Sequence, residues 1–295
     1  MTTFVEILVT AVIFAALYAL MSVGMTLVYG VMRTFNMAHG TAVMLGGFVA
    51  WTVIMAVHWS PWAGLPVAFA AVSLIGVLLH AVSVKPLIKR SGEDFEMITF
   101  ISTFAIAVVV TNLVLLAFGP SQRPVTPLVQ GQLTVYAGVT ISYQFIAIAV
   151  VSAVLLLVLG LFLQRTRYGL AIVAVAQQQD AASLSGVPVA VVHSLTFALG
   201  AGLAGVAGLF LAPVYYVYPQ SGQLPLLEAL TVAILGGLGS ISGTVLAACL
   251  VGIVQAVVSV FLGVDWYLPV LYGVIILLLA IRPYGLRGTP QEERL

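Results

Sequence analysis

The sequence predicts an all-α, polytopic membrane protein with eight or nine membrane segments, some of them short or broken. Three observations predict it. Only 6% of the 295 residues are charged and 62% are hydrophobic, whereas soluble globular chains carry about a quarter charged residues. Apolar runs of the length needed to cross roughly 30 Å of hydrocarbon recur from end to end. The period-two alternation of a barrel is absent, so helices must satisfy the backbone within lipid.

The elements follow in chain order. Spans are expected near 6–29, 38–57, 63–84, 97–118, 141–163, 190–213, 225–238, 243–262 and 265–282. The opening "MTTFVEILVT" has no basic stretch and carries Glu6, so it is expected to start the mature chain rather than a cleaved leader. "RTFNMAHGT" interrupts the first two spans. "HWSPW", "GPSQRPVTPLVQGQLTVYAG" and "VYYVYPQSGQLP" separate later ones with the Trp, Tyr and Pro content of an interface. The segment 225–238 is short for an unaided crossing, and Asp265 with Trp266 reads as an interfacial helix start. The whole chain, 1–295, is expected to form a single transmembrane domain.

Basic residues orient the spans, since Lys and Arg near span ends favour the cytoplasm. Arg33, the group Lys85, Lys89 and Arg90, the pair Arg165 and Arg167, and Arg282, Arg287 and Arg294 fall on one side when the N-terminus is outside and the C-terminus inside. That parity needs 225–238 to cross, or a compensating break elsewhere. Arg123 is left outside. Net charge is +1 and no basic tract is present, so a nucleic-acid partner is not expected.

Between two greasy spans lies "RTRYGLAIVAVAQQQDAASLSGVP", expected to hold a short amphipathic helix on the cytoplasmic face, about 165–188. Read as one helix over 168–184, it places Leu170, Ala174, Gln177, Ala181 and Leu184 on one narrow stripe. Gly186 and Pro188 end it. The segment lacks the Trp, Phe and Lys of a lipid-surface anchor, and its small residues and neutral amides suit a protein groove. A cytoplasmic partner is implied.

Candidate path residues are those that interrupt apolar text. Asn36 and His39 either line a path or hold a broken helix, and Asn36 equally suits an N-cap. "LGGLGSISG" offers Gly236, Gly237, Gly239 and Ser240, whose backbone N–H groups could meet a substrate carboxylate. The stretches 29–50 and 230–252 each place a break between apolar helices, as the two halves of a transporter do; close helix packing through glycine is the alternative. Thr99, Ser102 and Thr103 share one face of a span, with back-bonding to their own helix the ordinary role. Glu228 suits either a docking surface for an external protein or a favourable helix start. Cys249 has no disulfide partner and reads as a small apolar residue. His39, His58, His80 and His193 are scattered without metal-ligand spacing, and no nucleophile–base set emerges. No metal and no catalytic residues are expected. Lys85 and Lys89 do not follow glycine, so a phosphate-cradling Gly-Lys-Ser/Thr loop is impossible.

The same segments resemble a known family. "AVAQQQDAASLSGV" looks like the coupling motif of ABC importer permeases, with Ala174 or Ala176, Ala181 or Ala182, and Gly186 at the characteristic positions. "GMTLVYGVMRTFNMAHGTAVMLGGFVA", "LTFALGAGLAGVAGLFLAP", "ILGGLGSISGTVLA" and "RPYGLRG" resemble, in order, the signatures of LivH-type permeases of branched-chain amino-acid ABC importers. Urea importer permeases share them. Gln177–Gln179 depart from the charged or proline-containing stretch usual there. The resemblance implies a bacterial inner-membrane subunit that carries branched-chain or other neutral amino acids, or alternatively urea and short amides, into the cytoplasm. It implies a second, related permease as heterodimer partner, two cytoplasmic ATPases bearing ATP and Mg, and an extracytoplasmic substrate-binding protein. No cofactor is expected in this chain. A passive channel and a membrane enzyme are the readings from other classes.

Overall fold

The computed structural model describes residues 2–88, 94–134 and 140–288. Lys89, Arg90 and Arg294 lie outside the described residues. Among the described residues eleven α-helices follow one another: α1 Thr2–Met32, α2 His39–Trp51, α3 Gly64–Leu79, α4 Phe95–Phe118, α5 Tyr143–Arg165, α6 Arg167–Gln177, α7 Gln179–Leu184, α8 Val189–Tyr215, α9 Gln223–Gly236, α10 Ile241–Phe261 and α11 Tyr267–Ile281. Five-residue π-helical turns extend α2 (Thr52–Ala56) and α3 (His80–Val84). A short hairpin pairs Gln132–Thr134 with Thr140–Ser142. Eight helices among the described residues are long and apolar enough to cross a membrane; α9 is the shorter ninth.

Because helices alternate in direction, Arg33, Lys85, Arg165, Arg167, Arg282 and Arg287 gather at one end of the bundle, here the basic end. Trp59, Trp62, Trp266 and Tyr216 mark the opposite, aromatic end. The helix α9 returns the chain to the basic end, which supplies the parity that the basic residues demand. Arg123 sits at the aromatic end, where its guanidinium lies 4.3 Å from the Trp51 ring and donates to the Phe118 carbonyl. Its backbone pairs with Val217 in both directions at 2.9 Å. Aromatic stacking and a peptide carbonyl explain how a lone cation is held there.

Two helices form the centre. Residues 17–32 of α1 and 200–212 of α8 are buried throughout. They cross through backbone: a Cβ on Gly24 would stand 2.6 Å from the Gly200 carbonyl oxygen, and one on Gly200 2.7 Å from that of Gly24. Lipid offers no hydrophobic drive for helices to associate, so such small-residue crossings, with their dense van der Waals contact, hold the bundle. The helices α3 and α10 flank this pair symmetrically. Gly76 of α3 seats on Phe197 and Ala201 of α8, and Gly252 of α10 on Ala11 and Ala15 of α1.

That symmetry is an inverted repeat. The helices α1, α2 and α3 correspond to α8, α9 and α10 run in the opposite sense, with α1 packed on α10 as α8 is on α3. The expected echo between 29–50 and 230–252 is therefore out of register. The break at 33–38 corresponds to 216–222, not to the glycines after α9. The segment 216–222 was expected to lie outside with its neighbours, because its tyrosines and Pro219 read as surface loop. In the structure it turns back inward, and Gly222 reaches Gly40.

The expected single helix over 168–184 is two. It breaks at Gln178 (φ −154°, ψ 104°), where no glycine or proline stands. Tertiary packing sets the break: Gly169, Ile172 and Val175 of α6 are buried, whereas α7 turns to seat Ala182 near α8. Thr166 caps α6, its hydroxyl accepting from the Gly169 N–H at 3.0 Å.

Candidate translocation site

Asn36 and His39 build the entrance to α2. The Asn36 Oδ1 accepts from the Ala38 N–H at 3.0 Å, and its backbone carbonyl accepts from the His39 N–H at 3.2 Å. This local turn satisfies donors that a helix start leaves orphaned. The His39 ring is buried and donates through Nε2 to the Met21 carbonyl oxygen at 2.8 Å. Met21 lies about eleven residues before the end of α1, roughly 16 Å back along its axis. The helix α2 thus starts deep within the bundle rather than at its surface. From α4, the Thr103 hydroxyl accepts the Met37 N–H at 3.1 Å and donates to its own Phe100 carbonyl. Asn36, His39 and Thr103 are therefore brought together around one turn of re-entrant backbone.

The start of α9 meets the start of α2 there. A Cβ on Gly40 would stand 2.4 Å from the Gly222 carbonyl oxygen, and a Cβ on Gly222 2.0 Å from that of Gly40. Only glycine permits this approach. Two half-helices thus converge on one point at mid-depth, each directing its N-terminal dipole toward it. On one side of the junction is a cavity of about 290 Å³ whose polar lining includes Thr41, Thr111, Asn112, Gln220 and Gln223. On the other, toward the aromatic end, is a second cavity of about 290 Å³ reaching Tyr18, Tyr215, Ser221 and Glu228.

The glycine break after α9 lies elsewhere, at the basic end. Its N–H groups are largely partnered: Gly237 donates to Ile234 at 3.1 Å, Ser240 to Gly237 at 2.9 Å, and Gly243 to the Ser240 hydroxyl at 3.2 Å. The tail covers Gly236 and Gly237. Leu286 and Arg287 donate to the Leu235 and Gly236 carbonyls at 2.8 and 3.1 Å, and Gly288 packs on Gly237. Gly239 and Ser240 instead line a cavity of about 470 Å³ shared with Arg33, Ala176 and Gln177. Arg33 reaches across to donate to the Ala176 carbonyl at 3.3 Å.

Of the α6–α7 residues, Gln177, Ala181 and Gly186 are exposed, Ala174 is half-buried and Ala182 is buried. Leu184 is 90% exposed and Leu170 53%. Leu170, Gln177, Ala181 and Leu184 of the stripe drawn from the sequence therefore face away from the chain's own core, whereas Ala174 packs against it and Ala182 belongs to the packed side. Gly186 takes φ +83° two residues past α7, after Ser185, and the N–H of Val187 caps the Ala182 carbonyl at 3.0 Å.

Two features escaped the sequence. His80 and His193, far apart in the chain, face each other at 6.3 Å between ring centroids. The Ser194 hydroxyl reaches His80 Nδ1 at 3.1 Å. No cluster of three metal-ligating side chains exists among the described residues. The second feature is a network around Tyr18, whose hydroxyl meets Glu228, Gln255 and Tyr267. Neither has a local signature, because each joins residues far apart in the chain.

Comparison with known proteins agrees with this architecture. Residues 7–280 match the family model described as branched-chain amino acid transport system, permease component. The chain is 33% identical to the BraD permease protein of a high-affinity branched-chain amino acid transport system from Pseudomonas aeruginosa, over 99% of this chain and 98% of that one. It is 31% identical to the LivH permease protein from Escherichia coli K12, covering 99% and 97%. It is 30% identical to a probable LivH permease from Methanocaldococcus jannaschii, covering 97% and 93%. No solved structure matches. A bundle of apolar helices built on an inverted repeat, matched along nearly its whole length by permease components, makes this chain a member of the branched-chain amino acid transport system permease family.

Proposed function

We propose that this chain is the membrane permease of an ATP-driven importer for branched-chain or other neutral amino acids. The basic end faces the cytoplasm, the aromatic end the outside. The observation that carries the proposal is the match over nearly full length to permeases named for branched-chain amino acid transport. The gathering of Arg and Lys at one end supports the sidedness. Substrate delivered by an external binding protein enters from the aromatic end and passes the junction of α2 and α9. A related permease completes the path. Energy comes from two ATPases that dock on the exposed face of α6 and α7, carrying the ATP and Mg that this chain does not bind.

The coupling route has a physical basis. A push on α6 reaches α1 through Arg33 and Ala176, and the start of α10 across the cavity lined by Gln177, Gly239 and Ser240. The helix α1 in turn holds α2 through Met21 and His39. Deletion of the gene in its native host, with energy-dependent uptake of labelled leucine and labelled urea measured side by side, tests the proposal. Loss of leucine uptake with urea uptake intact is the expected result. Loss of urea uptake alone would overturn the substrate.

A further inference from the structure

The cavity at the aromatic end contains the one carboxylate that sits past the first turn of a bundle helix, apart from Glu6 near the start of α1, among the described residues. Glu228 lies on the face of α9 that also carries Leu224 and Pro225 toward this cavity, which Ser221 lines from the turn before the helix. A carboxylate at such depth is costly and is retained where it meets a partner or a pathway. Its hydrogen-bond partner within the chain is the Tyr18 hydroxyl, at 3.2 Å from Oε1.

Counting protons shows what is missing. The Tyr18 hydroxyl receives the Tyr267 hydroxyl proton at 2.8 Å and stands between Glu228 and the Gln255 amide. Whichever way that amide is turned, Tyr18 has one proton to give. Glu228 can accept up to four hydrogen bonds and receives at most one from this cluster. The cluster is rich in acceptors and short of donors. Aromatic rings of Tyr215, Tyr216 and Tyr218 line the same cavity, with Phe14, Leu17 and Leu211 supplying apolar wall. One carboxylate among phenols is too few oxygens for a hard metal cation, which takes six or more. A primary ammonium fits: it brings three donors, pairs with a single carboxylate and is favoured over aromatic faces. At about 290 Å³ the space suits a small molecule.

We infer that Glu228 and the surrounding tyrosines form an ammonium-recognition site on the outer side of the α2–α9 junction, which holds the α-ammonium of the transported amino acid while the apolar wall receives its aliphatic side chain. The identity of that amino acid rests on the proposed importer function; the ammonium specificity rests on the cavity itself.

The test uses the complete complex in lipid nanodiscs, with Cys249→Ala and Ser221→Cys introduced so that a thiol reagent reports occupancy of the cavity. Isopentylamine keeps the ammonium and branched chain of leucine, whereas 4-methylpentanoate keeps its carboxylate and branched chain. Isopentylamine and leucine should slow modification of position 221, and 4-methylpentanoate should not. Glu228→Gln should abolish the protection and lower leucine uptake in proteoliposomes by at least about tenfold, the scale of a lost charge-assisted hydrogen bond. Glu228→Asp should restore part of the uptake. Equal protection by the carboxylate analogue, or protection and uptake unchanged in Glu228→Gln, would overturn the site. So would loss of stimulated ATP hydrolysis with protection retained, which would make Glu228 a contact for the binding protein. Should Glu228→Gln fail to assemble, the two analogues on the unaltered carboxylate decide the matter. If the intact complex imports no leucine yet isopentylamine protects through Glu228, the importer reading falls and the ammonium site stands.

Discussion

At the scale of single residues, the two half-helices depend on atoms that are absent. Gly46 of α2 lies so close to α8 that a Cβ would stand 1.9 Å from the Gly205 carbonyl oxygen. Gly46→Val should therefore force the two backbones apart and cost about 3 kcal/mol, the upper range for overpacking. Thermal unfolding of the purified permease in detergent reads this as a lowered midpoint, while Gly160→Ala, at a helical position with open space around it, should not lower it. Asn36 acts through one acceptor oxygen on the Ala38 N–H. Asn36 does not cap α2 itself, whose N-cap position is Ala38, and Asn36→Ala should cost about 1 kcal/mol, the net worth of one hydrogen bond. Asn36→Ser keeps a neutral acceptor able to make the same local turn and should recover part of the stability; a failure to do so would show that the amide serves another partner. The sequence displayed these residues as interruptions in apolar text, and that much was legible. It did not show that the His39 ring reaches Met21, because the contact depends on how far the chain turns back into the bundle.

At the scale of elements, α6 and α7 show what periodicity can and cannot deliver. The amphipathic pattern placed a polar helical segment between spans and found most of its exposed stripe, Ala174 excepted. It missed the break at Gln178, since propensity alone continues a helix through three glutamines. It also assigned Ala181 and Ala182 the same role, whereas the break sends Ala182 inward. The two alanines should therefore behave differently. Ala182→Trp should lower the unfolding midpoint, because the site is packed. Ala181→Trp should leave the midpoint unchanged while ATP hydrolysis by the assembled complex loses its coupling to uptake. Parallel measurements of melting, ATP hydrolysis and transport separate the two, and identical behaviour of both variants would contradict the orientation of α7. Gly186→Leu combines a modest backbone strain of about 1 kcal/mol at positive φ with a bulky side chain on the proposed docking face. It should follow Ala181→Trp in uncoupling.

At the scale of the whole molecule, nine apolar segments and their directions were written in the spacing of hydrophobic runs and basic residues. The inverted repeat was only half legible. Glycine content drew attention to the break after α9, but the true counterpart of 33–38 is 216–222, where Pro219 and Gly222 are surrounded by tyrosines that read as a surface loop. Membrane depth is set by tertiary contact, here Gly40 against Gly222, and no single segment encodes it. The same is true of the Tyr18–Glu228–Gln255–Tyr267 network, assembled from four helices. The repeat nevertheless gives the molecule its working geometry: two central helices crossing at Gly24 and Gly200, two half-helices meeting at mid-depth, and one basic end from which α6 and α7 project. The most direct test of this account is accumulation of labelled leucine in proteoliposomes that hold the permease with its partner permease and ATPases, supplied with loaded binding protein outside and ATP inside. The account predicts uptake against a gradient that requires ATP hydrolysis and the binding protein together. Leucine that merely equilibrates across the membrane, with or without ATP, would contradict it and make the chain a passive pore.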